Sequence, residues 1–186
     1  MSDRTNIMFC GFGGQGIVLA GVIIGQAAVY EGLNVAQAAS YGSEARGSAC
    51  RSEIILDRKR IVYPHIDFAD ILGAMSQQGY DKFRSRLRDD DSILVYDRNQ
   101  VEIRSDIPQH QQGFPATETA LREFKKKIVA NIIFLSAIVG WRKLVSPESL
   151  EKSVRKNVPA KFLDLNLEAM SAGLELGRNI SLKSKF

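Results

Sequence analysis

The sequence predicts an α/β fold: a Rossmann-like, mainly parallel open sheet with flanking helices and a β-hairpin addition. Three observations lead there. A short apolar run, Ile7–Met8–Phe9–Cys10, feeds a glycine-rich turn, and the turn feeds a strongly apolar helix. Strand-like runs then alternate with helix-period segments, and helices dominate the end of the chain. Finally, 186 residues with 45% hydrophobic and 25% charged side chains make one globular unit, with no linker, repeat or low-complexity stretch to divide it. A single domain, 1–186, is expected.

The first strand is Ile7 to Cys10, and helix one runs from about Gly14 to Glu31. Its apolar residues cover most of its circumference, so burial on more than one side is expected. Gly21 and Gly25 share a face that would press on the sheet or on another chain, and Gly32 ends the helix. Asn34 to Ala39 is a short second strand. Ser40 to Ser48 is rich in turn formers, and Ala49 to Leu56 reads as a strand. Asp57 to Arg60 should turn that strand back into Ile61–Val62–Tyr63, giving an antiparallel hairpin stopped by Pro64.

Ile66 to Met75 reads as another buried strand, and Gln77 to Leu87 as a helix with Tyr80, Phe83 and Leu87 inward. Ser92 to Tyr96 is a further apolar strand. Pro108, Gly113 and Pro115 argue against a long regular element between 97 and 115. Phe114 to Phe124 looks helical, Asn131 to Trp141 is a very apolar helix, and Ser146–Pro147 caps and starts the next. Lys161 to Arg178 is the last helix, followed by a basic tail expected to fray.

Lys plus Arg exceeds Asp plus Glu by 25 − 21 = 4, an excess that suits acidic or phosphorylated ligands without indicating nucleic acid. Cys10 and Cys50 are the two cysteines and no CxxC occurs, which argues against a disulfide scaffold, a structural zinc or a four-Cys iron–sulfur cluster in this chain. Both read as buried reduced thiols. The Ile17 to Val29 run is shorter than the about 20 residues of a membrane span, and the apolar segment starts late for a signal peptide. A cytoplasmic protein is expected, with no membrane partner.

Gly11, Gly13 and Gly16 satisfy the G-x-G-x-x-G spacing, with Gly14 and Gln15 inside the turn. A strand–turn–helix unit of this kind aims free N–H groups and a helix dipole at whatever sits above it, so it suits a phosphate or carboxylate. A dinucleotide fold also needs an acid at the end of strand two to hold ribose hydroxyls. The residues there are Ala38–Ala39–Ser40–Tyr41, which argues against a dehydrogenase. No Gly-Lys-Ser/Thr follows the turn, so a Walker site is excluded. His65 and His110 read as surface or structural residues, Asp89–Asp90–Asp91 as a charged loop, and no self-contained catalytic set or metal-ligand spacing appears. Lys125–Lys126–Lys127 is a solvated face or, more sharply, a phosphate-facing patch. Within Ser40–Gly47, Arg46 is either an anion ligand or the partner of Glu44 in an ion pair that stabilises the loop.

GFGGQG after an N-terminal strand, SYGSEARGSA downstream, PHIDFADILGAMS, NIIFLSAIVG and LDLNLEAMSAGLELG together resemble the gamma subunit of 2-oxoacid:ferredoxin oxidoreductases over nearly the whole chain. Ser43 stands where that family usually has proline, and Ser48 where a second glycine is common. The resemblance implies a complex that oxidatively decarboxylates a 2-oxoacid, best matched to 2-oxoglutarate, to the acyl-CoA while reducing ferredoxin. Thiamine pyrophosphate, Mg2+ and the iron–sulfur clusters would belong to alpha, beta and delta-type subunits, with coenzyme A as substrate and no cofactor bound by this chain alone. The resemblance associates this module with coenzyme A access. The turn residues Gly11, Gly13, Gly14, Gln15 and Gly16 are expected to form with Ser40, Tyr41, Glu44, Arg46 and Gly47 a joint lip beside the active site, turn amides and Arg46 facing coenzyme A phosphates or a neighbouring subunit. Separated from its partners, the chain would be inactive, and its apolar helix surface would favour a homodimer. The alternatives are a free-standing nucleotide-binding module and a purely structural partner.

Overall fold

A computed structural model describes residues 4–41, 49–104 and 110–183. In chain order these form β1 (Arg4–Phe12), α1 (Ile17–Tyr30), β2 (Asn34–Ser40), β3 (Ala49–Asp57), β4 (Ile71–Ala74), α2 (Gln77–Phe83), β5 (Ile93–Asp97), β6 (His110–Phe114), α3 (Ala116–Phe124), α4 (Ala130–Arg142), α5 (Pro147–Asn157) and α6 (Leu163–Lys183). The strands make one six-stranded sheet in the order β2-β3-β1-β4-β5-β6. From β1 through β4 and β5 to β6 every pairing is parallel. β3 runs antiparallel to both of its neighbours, β1 and β2.

The antiparallel hairpin therefore exists, but its arms are β2 and β3. Residues 61–63 form no strand, and Val62 and Tyr63 stand exposed. The reason lies in burial: β3 is covered on both sides, and β1 and β2 already occupy its two edges. The run 66–75 also contracts, leaving only Ile71–Ala74 as strand. Just before it, the Asp70 backbone still bonds both neighbours, donating to the Asn6 carbonyl and accepting from the Ile93 amide at 2.8 Å each, while its carboxylate accepts from the Asn6 amide at 2.7 Å. Beyond α2, Arg84–Arg86 tighten into a 3-10 turn before Leu87. His110 belongs to a strand instead of a glutamine-rich loop: β6 pairs with β5 along its length although its sequence, HQQGF, has weak strand propensity. The last helix continues to Lys183, past the expected frayed end.

The two faces of the sheet are unequally covered. One carries α1, α3, α4, α5 and α6 over a large core that includes Ile7, Phe9, Ile54 and Val95. The other carries α2 and the segment 58–70 over a smaller core around Met8, Leu72, Tyr80 and Leu94. α4 is buried from Ala130 to Val139, as its all-round apolar sequence requires. Gly21 resolves the close-packing question in favour of the sheet, since a Cβ there would meet Gln37 at 2.7 Å and overlap Ser52. Cys10 and Cys50 are both buried and free, and they belong to opposite faces, Cys10 to the smaller core and Cys50 to the larger. Burial pushes both thiols above their ordinary range.

Candidate functional site

The glycine turn stands at the carboxyl end of β1, where the order of the sheet reverses and where open α/β sheets take ligands. Gly11 is the penultimate residue of β1, and the turn proper runs through Gly13, Gly14, Gln15 and Gly16 into α1. Gly14 has φ 91° and Gly16 has φ 74°, the left-handed region that costs other residues energy. No side chain caps α1. Gly13 and Gly14 are exposed with open space around them, so their backbone is accessible from solution.

Gln15 braces the turn from within. Its Oε1 accepts a hydrogen bond from the Phe12 amide at 2.6 Å, and its Nε2 donates to the Met75 carbonyl at 2.9 Å. The carboxamide thereby ties the turn to the end of β4. Gly11 makes room for it, because a Cβ at that position would come within 2.5 Å of Gln15 Oε1 and 2.7 Å of Ile17 Cδ1. On the other side, Asn131 Nδ2 donates to the Gly16 carbonyl at 3.3 Å. The cradle is thus held from two directions before any ligand arrives.

Beside the turn lies a cavity of about 320 Å³ lined by Gly14, Gln15, Met75, Thr117, Lys127, Ile128 and Ala130. Lys127 supplies its cationic side chain, with Nζ 3.4 Å from Gln100 Oε1. All three lysines of 125–127 are exposed, and among them Lys127 lines this cavity. Thr117 is anchored by Asp97, a fully buried carboxylate at the end of β5 that accepts hydrogen bonds from the Thr117 amide at 3.0 Å and hydroxyl at 2.5 Å. Desolvation raises the Asp97 pKa, and the hydrogen bonds from Thr117 and the Asn99 amide and the charge of Lys127 oppose that rise. Ile128 and Tyr41 are largely exposed, and Phe12 is exposed in part.

Of the second group of candidates, Ser40 ends β2 and Tyr41 follows it, while Glu44, Arg46 and Gly47 lie outside the described residues. β2 is not the neighbour of β1, since β3 stands between them. Two strand spacings of about 4.8 Å therefore separate the end of β2 from the glycine turn. The ribose-binding acid of a dinucleotide site would be displaced by one strand even if it were present. His65 sits 3.7 Å from the buried Glu53, and His110 is exposed at the start of β6. Asp89 to Asp91 form an exposed turn. Among the described residues, no group of three or more His, Cys, Asp or Glu gathers to hold a metal, and no helix is long and apolar enough to cross a membrane.

Met75, Thr117, Ala130 and Asn131 reach the turn only through tertiary packing, and nothing in their local sequence marks them. Ser76, next to Met75, caps α2: its Oγ accepts from the Gly79 amide at 3.1 Å.

The family model described as pyruvate ferredoxin/flavodoxin oxidoreductase matches residues 6–176. The 2-oxoglutarate synthase subunit KorC of Methanocaldococcus jannaschii is 38% identical over 179 residues, covering 95% of this chain and 96% of that protein. Among solved structures, the gamma subunit of a keto/oxoacid ferredoxin oxidoreductase from Geobacter sulfurreducens PCA superposes with a TM-score of 0.82 at 36% identity, over 94% of this chain and 99% of that one. The 2-oxoglutarate:ferredoxin oxidoreductase from Magnetococcus marinus, solved with 2-oxoglutarate, coenzyme A and succinyl-CoA bound, shares the fold. Its TM-score is 0.84 at 22% identity, with 96% of this chain covering 32% of that one.

Proposed function

The chain belongs to the pyruvate ferredoxin/flavodoxin oxidoreductase family in its gamma-subunit form, and on that premise we propose that it serves a thiamine-dependent 2-oxoglutarate:ferredoxin oxidoreductase as its non-catalytic gamma subunit. In that reading the complex works in the cytoplasm and contains alpha, beta and delta-type subunits that carry thiamine pyrophosphate, Mg2+ and iron–sulfur clusters. This chain stands at the entrance to their active site, and its contribution is to receive the anionic end of coenzyme A.

The observation that carries the site assignment is the pairing of the glycine turn with Lys127 across one cavity. Backbone N–H groups and a helix N-terminus favour an anion. A lysine across the same cavity adds a mobile point charge, the form of cation suited to a phosphate. Met75, Ile128 and Ala130 supply apolar wall for the thinner, uncharged part of the same ligand. Arg46, with Ser40 and Tyr41, is assigned the same joint role toward coenzyme A phosphates or a neighbouring subunit. Gln15 and Asn131 position the turn, and Gln15 also lines the cavity.

The test uses the reassembled complex. Lys127→Ala and Arg46→Ala are each expected to raise the apparent KM for coenzyme A several-fold, while the KM for 2-oxoglutarate stays as it was. An unchanged coenzyme A dependence in both variants, with assembly intact, would remove the ligand role and leave the turn as a packing element.

A further inference from the structure

The segment 58–70, between β3 and β4, presents apolar and aromatic side chains to solvent although it is firmly held. Val62 is 91% exposed, Tyr63 61% and Phe68 48%. Single exposed apolar residues are ordinary; three within seven positions on one pinned segment are not. The Arg58 carbonyl accepts from Asn34 Nδ2 at 3.1 Å, and the Lys59 amide donates to Asp57 Oδ1 at 2.8 Å. Arg86 donates to the carbonyls of Ile66 and Asp67, and Asn6 Nδ2 donates to the carbonyl of Phe68 at 3.3 Å. His65 is drawn toward Glu53, and its ring packs edge-on to Tyr63 with centroids 5.5 Å apart. Ile66 is buried beneath as an anchor.

Between Tyr63 and Phe68 opens a groove of about 450 Å³, with Asn6 and Ile66 among its lining and Arg4, Asp67 and Arg88 as its charged residues, two basic to one acidic. Arg58, Lys59 and Arg60 stand exposed in series just before it. The whole feature therefore combines rigid aromatic anchors, a groove and a basic edge. Ordering costs that a flexible loop would incur on binding are already met in the free chain, which is how binding surfaces gain affinity from few contacts.

Resting on the gamma-subunit reading, we propose that the face formed by residues 58–68 docks this chain onto a larger subunit of its own complex, at an apolar pocket edged by Asp and Glu side chains. Charge complementarity selects that occupant. The basic run steers association with an acidic rim, while Val62, Tyr63 and Phe68 supply the desolvated centre. The face lies at the amino ends of β1 and β4, opposite the glycine turn, so docking here leaves the anion cradle free.

The test is assembly of the full complex from wild-type chain and from a Val62→Asp/Tyr63→Asp double variant. Incorporation is followed by size-exclusion chromatography and by titration of the large subunits. Both side chains are exposed, so the variant should melt with the wild type and lose at least 10-fold in affinity for the large subunits. Should it melt lower, Val62→Ala/Tyr63→Ala serves in its place with the same expected direction. An Arg58→Glu/Arg60→Glu variant should slow association and flatten its salt dependence. A double variant that joins the complex as tightly as wild type overturns the docking face. So does a face used instead for self-association or for anionic vesicles while complex formation is untouched. Failure of the wild-type chain to join any such complex would overturn the gamma-subunit reading itself, a separate outcome.

Discussion

At the carboxyl ends of β1 and β4 the chain is shaped by its backbone; at the amino ends of the same strands it is shaped by side chains. The glycine turn owes its form to left-handed Gly14 and Gly16 and to two carboxamides, Gln15 bridging Phe12 and Met75 and Asn131 holding the Gly16 carbonyl. Segment 58–70 owes its form to Arg86, Asn6 and Asn34, each holding a carbonyl, and to Glu53 buried beside Arg51, His65 and Arg86. A backbone-built end offers N–H groups and little side-chain identity, which suits a small anion. A side-chain-built end offers shape, apolar area and charge, which suits a protein surface. The two proposed kinds of recognition would thus lie at opposite ends of one sheet.

The comparison breaks most readily at Gly16. Alanine there must adopt φ 74° and drives a Cβ into the Asn131 carboxamide. Left-handed strain plus overpacking should cost roughly 2–4 kcal/mol. Urea unfolding will show it, and a Gly16→Ala protein as stable as wild type would mean that the turn is less constrained than its geometry states.

At the other end, Arg86→Ala removes two carbonyl partners and leaves Glu53 with less compensation. A loss of about 1–3 kcal/mol is expected, together with earlier hydrogen exchange confined to residues 66–69. Uniform exchange changes across the sheet would contradict the local role.

A smaller effect distinguishes the cavity wall. Burial raises the Asp97 pKa above its ordinary 3.8, so the folded chain holds that proton more tightly than the unfolded chain. Its contribution is fully present below 3.8 and is lost as pH rises through the folded-state value. Asp97→Asn cannot titrate and lacks this decline. The stability difference between the two proteins should therefore move in favour of wild type on acidification across that window, and a flat difference would show that Asp97 is not desolvated. Smallest of all is the reactivity of Cys10, whose burial holds it as a thiol: native protein should resist alkylation at neutral pH until it unfolds.

Much of this was legible in the sequence, and the parts that were not share a physical cause. The β1–turn–α1 unit, the Ser146–Pro147 start of α5 and the apolar α4 are specified by residues close in the chain. β6 was missed because HQQGF becomes a strand only by pairing with β5. The hairpin was given the wrong second arm because Ile61–Val62–Tyr63 looks like a strand locally, yet β3 had no free edge to offer it. At the site, the glycines were readable, whereas Gln15 reads as a turn residue until its bond to Met75, 60 positions away, is seen. Asn131 reaches Gly16 across 115 positions, a contact that no spacing rule anticipates.

The most direct measurement is ferredoxin reduction dependent on 2-oxoglutarate and coenzyme A, run side by side with the isolated chain, the other subunits alone, and the complex reassembled from both. The account predicts no turnover from the chain by itself and restored, coenzyme A-saturable turnover on reassembly. Turnover of 2-oxoglutarate by the isolated chain, or full activity of the other subunits without it, would contradict the account.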